Sequence, residues 1–375
     1  MNLSYLKEGC GLTEKLRVAL LFGGVSSEHE ISCVSASAWV RALDTTKYDV
    51  TLIGITKAGR WLRFAGTPEQ MADGSWEQHP GNLPCVISPD RQDHGLLLRE
   101  GDKTTLLPID AAVPVLHGKN GEDGTVQGLL ALADIPCVGC GLLGSAVCMD
   151  KAVANTLMDA NGIPHCHWCY TIRAEAECQR EALLKRVEGR LDYPIFVKPD
   201  NAGSSVGITK AHDREQLNAA IDKALAEDDK VVFEEFIRGQ EVECAAIGNP
   251  DDPATVWTTR PGEILAGDEF YTYDDKYKNG VSKTVIPARL PDAKLDEVKA
   301  MAYRVYYALG CSGLSRCDFF VEDGTGRVLC NEVNTMPGFT AISMYPKLME
   351  SAGLDFTALT DRLITLAVTK RKGAY

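Results

Sequence analysis

The sequence predicts an α/β protein of two or three domains that opens on a parallel βαβ unit. Three observations carry this. The chain has 375 residues, 45% of them apolar and 24% charged, which is ordinary for soluble globular domains and enough for more than one core. From Leu16 a strand-like run (LRVALLF), a Gly-Gly turn, a helix-like run (EHEISCVSASAWVRAL) and a second strand-like run (DVTLIGIT) follow one another. Towards the other end, two β-runs flank Asp323-Gly324-Thr325-Gly326, as in a hairpin.

In chain order, Ser27 with Glu30 three residues on forms a capping-box pattern, so the first helix is expected to start there with its positive end over the glycine turn. That turn is neither G-x-G-x-x-G nor a Walker A loop. Further strands at AAVPVLHG (111–118) and IPCVGC (135–140), with the helix GTVQGLLALA between them, make 16–148 a Rossmann-like domain. Residues 57–110 are rich in turn formers and read as an insertion. A central region, 149–240, holds the helix DKAVANTLMDANG, the strand YPIFVKP, the loop DNAGSSVGI and the strand KVVFEEFI. The third region, 241–375, contains the hairpin.

A formal charge of −13 argues against nucleic acid and anionic membranes as partners, leaving small molecules. No apolar run is long enough to span a bilayer, and MNLSYLKEGCGLTEK lacks the apolar core of a secretory signal. Thirteen cysteines spread through apparent core segments fit a reducing compartment, so a cytoplasmic location is expected. Two C-x-x-C pairs, Cys137/Cys140 and Cys166/Cys169, have the spacing of zinc ligands. The segment between them reads as loop and helix and is longer than the usual spacer, so zinc is not expected.

Chemistry is concentrated in two places. Glu332 and Asn334 stand at i and i+2 of a strand and so share a face, while Asp318 and Glu332 are equally distant from Thr325. A short loop centred there sets the two carboxylates opposite each other. Two acids and an amide suit a hard cation such as Mg²⁺; a solvated polar face is the alternative. In the centre, Lys198 ends a strand and precedes Gly203, Ser204, Ser205 and Gly207, whose small side chains let backbone N–H groups approach phosphate. Such a loop is also compatible with a mere flexible turn. Together with Lys151 and the hairpin, it matches what a nucleoside triphosphate held between domains requires.

These stretches, with LFGGVSSEHEIS, VLHGKNGEDGTVQG, MDK, EEFIRGQEV, FYTYDDKY, GCSGLSRCDFF and NEVNTMPGFTAISMYP, occur in one order from Leu16 to about Leu366. In that order the chain resembles the ATP-grasp enzymes and, within them, the D-alanine:D-alanine ligases. The resemblance implies a three-domain ATP-grasp architecture with an N-terminal Rossmann-like domain, a central ATP-grasp domain and a C-terminal α+β domain. It implies ATP-dependent synthesis of D-alanyl-D-alanine through an acylphosphate, for peptidoglycan precursors. Lys151, Lys198 and the loop Gly203, Ser204, Ser205 and Gly207 would hold phosphates, Glu234, Glu235, Phe236 and Ile237 would face adenine, and Glu241 the ribose. Asp318, Glu332 and Asn334 would bind two Mg²⁺, with Mn²⁺ as a substitute. Glu28 and His117 would hold the first D-alanine, Ser343 and Met344 the second, with Arg316 and the Gly338 N–H on the oxyanion. Lys276 and Tyr277 would lie on a closing loop, and Ser204 and Tyr277 would join the catalytic set. A homodimer is also implied. A same-fold ligase using D-serine or D-lactate, or a non-catalytic ATP-binding regulator, remains as an alternative; Met344 after Ser343 is apolar where D-serine ligases tend to carry arginine.

Overall fold

A computed structural model describes residues 15–203, 206–265, 283–340 and 342–369. Ser204, Ser205, Lys276 and Tyr277 therefore lie outside the described residues. Strands β1 (Leu16–Gly23), β2 (Tyr48–Ile55), β3 (Trp61–Phe64), β4 (Leu83–Ile87), β5 (Gly95–Glu100), β6 (Lys103–Pro108) and β7 (Ala111–Pro114) form a seven-stranded sheet ordered β6-β5-β4-β3-β2-β1-β7. β1 runs parallel to β2 and to β7, which is the predicted βαβ arrangement. Val18 to Phe22 of β1 are at most 1% exposed, so both faces are covered, as a continuous apolar run requires. The segment read as an insertion supplies β3 to β6, which extend the sheet as an antiparallel meander from β2. IPCVGC forms no regular strand. It makes a single parallel bridge, Ala112 to Cys137, because Pro136 has no N–H to give and Gly139 turns away at φ +103°.

The first helix also departs from expectation. It spans His29–Ala42, with Glu28 at its N-cap and no side-chain capping bond. The Ser27/Glu30 box does not form, because Glu30 reaches outward to Lys57. The turn is fixed instead by Ser32, whose Oγ accepts from the Gly23 N–H at 2.8 Å and donates to the Val115 carbonyl. Gly23 has φ +85°, and a Cβ there would lie 2.3 Å from the Ile55 carbonyl oxygen, so only glycine fits.

The central sheet comprises β8 (Trp168–Ile172), β9 (Ile195–Pro199), β10 (Thr209–Ala211) and β11 (Lys230–Glu235), ordered β10-β9-β11-β8. It has its own core, in which Leu183, Val187, Leu217 and Ile221 of two helices cover Ile195, Val197 and Phe233. The last sheet contains β12 (Gly239–Asn249), β13 (Asp252–Thr258), β14 (Gly262–Leu265), β15 (Lys283–Val285), β16 (Gly313–Glu322) and β17 (Val328–Asn334), ordered β15-β14-β12-β16-β17 with β13 also on β12.

The first and last sheets share one core. Val18, Leu20 and Val113 belong to the same cluster as Ala245, Leu314, Phe339 and Leu363, and the Trp39 and Phe339 rings lie 5.1 Å apart. The central sheet joins this body through a small cluster, Cys166, Ile237 and Leu329. Few apolar contacts at such a junction suit a cap that can shift against a firm base. The two C-x-x-C pairs do not converge: Cys137 packs with the first sheet, Cys140 with the last, and Cys166 and Cys169 lie in separate clusters. Every described cysteine is a free thiol. Among the described residues no helix is long and apolar enough to cross a membrane.

Candidate active site

Two adjoining cavities lie where the three sheets meet. One, of about 280 Å³, is walled by the central sheet and the hairpin; the other, of about 120 Å³, lies between the hairpin and the first domain. Lys151, Ala202, Glu243, Ile264 and Glu332 line both, so the cavities are continuous. A larger open groove of about 1260 Å³ runs along His165 to Tyr170 and contains, of the side chains singled out in the sequence, only the Cys166/Cys169 pair.

In the larger cavity Lys198 of β9 projects from the central sheet. Its Nζ lies 2.5 Å from Glu234 Oε2 and 3.5 Å from Asn331 Oδ1. Burial alone would lower the lysine pKa, but the Glu234 charge more than offsets this and holds it above the ordinary value. Lys151 opens the helix Lys151–Ala160 and donates to the carbonyls of Asp200 (3.2 Å) and Ala202 (2.9 Å), which places its ammonium beside the Gly203 turn. Phe236, Ile237 and Glu241 also line this cavity. The run 234–237 does not present four equivalent side chains. Glu234 turns in to Lys198, whereas Glu235 accepts from the His167 N–H at 2.8 Å, as alternation along the chain requires. Gly207, at φ +73°, packs against Pro199 and is not part of the cavity wall.

The hairpin register is the predicted one. Asp318 pairs with Glu332, and Arg316 with Asn334, with an irregularity after Asp318. Arg316 Nε and Nη2 grip Asp318 at 2.8 and 2.7 Å, and Asn334 Nδ2 donates to Asp318 Oδ2 at 3.0 Å. The donor set fits a hard cation, since it consists of oxygens with no sulfur or imidazole among them. Among the described residues no group of three His, Cys, Asp or Glu side chains is placed to hold a metal ion by itself. Two carboxylates and an amide instead suit an ion that completes its coordination with phosphate and water.

On the smaller cavity Glu28, 7% exposed, faces Gly203, where a Cβ would stand 3.1 Å from Glu28 Oε2. His117 is buried, with Nδ1 3.0 Å from the Met336 carbonyl oxygen and Nε2 3.1 Å from Ser35 Oγ. Its pKa is lowered by burial, against the Glu28 charge, so the ring is held neutral. Gly338 lies at the rim; a Cβ there would meet Ser343 Oγ at 2.8 Å. Ser343 Oγ accepts from the Thr340 N–H at 3.1 Å and caps no helix N–H. Met344, 5% exposed, lines the same wall with Ile264 and Thr284.

Two acidic residues of the smaller cavity escaped the sequence reading. Glu243 of β12 lies opposite Asp318 and 3.0 Å from Arg316 Nε. Glu122 accepts from the N–H of Gly118 (2.7 Å) and of Met336 (3.3 Å), tying the loop after β7 to the one before Gly338. The signal for Glu122 was its place in HGKNGEDG, which also carries His117.

Burial, reinforced by Glu28, pushes the Glu122 carboxyl up to about 8 from its ordinary 4.5. Between these values the folded state holds a proton that the unfolded chain has released. Its contribution to stability is therefore complete below the lower value and is lost as pH rises to the upper, with a slope of up to about 1.4 kcal/mol per pH unit. Urea unfolding of the protein and of Glu122→Gln between about pH 5 and 8 checks this. The variant should show a flatter dependence, and parallel curves would refute the assignment.

Comparison with known proteins decides the family. Residues 17–140 match the family model described as D-ala D-ala ligase N-terminus, and residues 157–365 the one described as D-ala D-ala ligase C-terminus. The chain belongs to the D-alanine–D-alanine ligase family. It is 49% identical to the D-alanine–D-alanine ligase of Caldicellulosiruptor bescii over 96% of each chain, and 45% identical to that of Acetivibrio thermocellus over 95% of this chain and 97% of the relative. Among solved structures it resembles the VanG D-Ala:D-Ser ligase of Enterococcus faecalis (TM-score 0.86, 40% identity, 94% of this chain and all of that one). It also resembles the D-alanine–D-alanine ligase of Coxiella burnetii (TM-score 0.79, 34% identity, 95% and 94% coverage). The three-domain ATP-grasp architecture expected from the sequence is that of the family.

Proposed function

We propose that the protein joins two D-alanine molecules to D-alanyl-D-alanine with cleavage of ATP to ADP and phosphate, supplying a precursor of peptidoglycan. The observation that carries this is the continuity of a lysine-lined cavity with an acid- and arginine-lined one across the Asp318–Glu332 pair. ATP would enter the larger cavity, its adenine against Phe236 and Ile237, its ribose at Glu241 and its phosphates between Lys151 and Lys198 beneath the Gly203–Gly207 loop, including Ser204 and Ser205. Asp318, Glu332 and Asn334 would hold two Mg²⁺, which when bound neutralise the β- and γ-phosphates.

Glu28 would hold the ammonium of the first D-alanine, with the neutral His117 beside it. The carboxylate of that substrate attacks the γ-phosphorus, giving an acylphosphate and ADP. The amine of the second D-alanine, held through its carboxylate at Ser343, then attacks the acyl carbon. Arg316 and the Gly338 N–H would receive the oxyanion before phosphate leaves. Lys276, Tyr277 and Ser204 would complete the closed site. Boundaries of 16–148, 149–240 and 241–375 are proposed for the domains, with the central one closing as a lid over the other two. Incubation with ATP, Mg²⁺ and D-alanine should release phosphate and D-alanyl-D-alanine together; ATP binding without either product would leave a non-catalytic regulator as the reading.

Likeness to the D-Ala:D-Ser ligase makes the second substrate worth testing. The buried thioether of Met344 beside Ile264 offers a methyl-sized apolar wall, which favours D-alanine. Met344→Arg brings in donors that a hydroxyl satisfies and a methyl does not, so the kcat/KM ratio should move towards D-serine by about tenfold or more. Competition between the two amino acids checks this, and an unchanged product ratio would remove Met344 from the acceptor pocket. Exposed Leu132, Leu142 and Leu143, on two neighbouring helices, support a homodimer, and the buried free thiols support a cytoplasmic setting.

A further inference from the structure

Arg316 stands between two carboxylates supplied by different strands. Two of its nitrogens, Nε and Nη2, engage Asp318 on its own strand, and Glu243 Oε2, from β12, approaches Nε at 3.0 Å from across the sheet. The three side chains are 14%, 13% and 7% exposed, so the charges interact through protein rather than water. Nη1 makes no hydrogen bond to the described residues, and Arg316 and Glu243 both line the substrate cavity. Asp318 has other claims on it: Asn334 donates to it, and Glu332 faces it across the hairpin. Glu243 faces Arg316 without sharing in that hairpin.

We propose that Glu243 is a positioning residue for the reaction: its charge, 3.0 Å from Nε while the Nε–H itself donates to Asp318, steadies the Arg316 guanidinium and keeps the Nη1 end towards the reacting carbonyl when Asp318 is engaged by other groups. The inference rests on the oxyanion role given to Arg316 above. Removing Glu243 leaves Asp318 to hold the guanidinium through Nε and Nη2 by itself, so that when other groups draw on Asp318 the Nη1 end can turn out of reach of the developing oxyanion. The effect therefore falls on the chemical step and not on substrate binding.

The test compares the unaltered protein with Glu243→Ala and Glu243→Gln in steady-state synthesis, with melting curves alongside. Glu243→Ala should lower kcat by about tenfold to a hundredfold, with the KM for ATP and for D-alanine within about twofold of the original. Glu243→Gln, which keeps the shape of the side chain but not its charge, should recover little of that loss. The ¹⁵N-edited Nε–H signal of Arg316 should shift in both variants, since both remove the charge 3.0 Å from Nε. A lowered melting temperature with unchanged kcat would make Glu243 merely structural, and a raised KM for ATP with unchanged kcat would assign it to the nucleotide site. Either result overturns the proposal, and if the alanine variant does not fold, an unchanged kcat and Nε–H signal in Glu243→Gln would do so. Failure of the unaltered protein to make dipeptide would instead refute the proposed function.

Discussion

Dipeptide synthesis should fall by on the order of a thousandfold or more when Glu332→Gln and Asn334→Ala are combined, while the fold survives. Both residues line the cavity, and the core contacts of their strand neighbour Val333, 7% exposed, are untouched. The substitutions remove one of two opposed carboxylates and the amide that orients the other at 3.0 Å. A thousandfold loss corresponds to about 4 kcal/mol of transition-state stabilisation, within what a cation at transferring phosphate supplies. ADP release in Mg²⁺ and thermal melting, measured together, check the two halves. Near-normal turnover would show that the hairpin does not hold the ion.

Lys198→Ala should raise the KM for ATP by about tenfold or more and also lower kcat, because the ammonium would meet phosphate in both the ground and the transition state. It should destabilise the central domain as well. Glu234, 4% exposed, would keep its charge without the partner at 2.5 Å, and breaking a buried pair in this way costs about 3–5 kcal/mol. The two effects separate in Lys198→Ala combined with Glu234→Gln, which removes the stranded charge. Melting should recover substantially while the ATP dependence stays poor. Recovery of both would make Lys198 a structural partner of Glu234 only, and an unchanged KM in the single variant would contradict the phosphate role.

Much of the site was legible because its residues report locally. Period-two alternation and equal distances from Thr325 were enough to set Asp318 against Glu332, since a hairpin's register follows from its turn. Lys198 could be placed at a strand end for the same reason, but its pairing with Glu234 depends on the alignment of β9 with β11. Glu243 was invisible for that reason too: only the antiparallel register of β12 on β16 brings it to Arg316, and nothing within EVECAA announces it. The Ser27/Glu30 box failed because a surface lysine nearly thirty residues on competed for the same carboxylate. The strands of 57–110 were hidden by their short runs and many turn formers, a pattern shared by edge meanders and irregular loops.

The central claim, that a D-alanine carboxylate is phosphorylated on its way to the peptide bond, is open to one direct measurement. D-alanine carrying ¹⁸O in its carboxylate is incubated with the protein, ATP and Mg²⁺, and the released phosphate is examined by mass spectrometry. Attack of the carboxylate on the γ-phosphorus, followed by displacement at the acyl carbon, leaves one carboxylate oxygen in phosphate, so one ¹⁸O per phosphate is expected. Unlabelled phosphate released alongside D-alanyl-D-alanine would contradict the acylphosphate route.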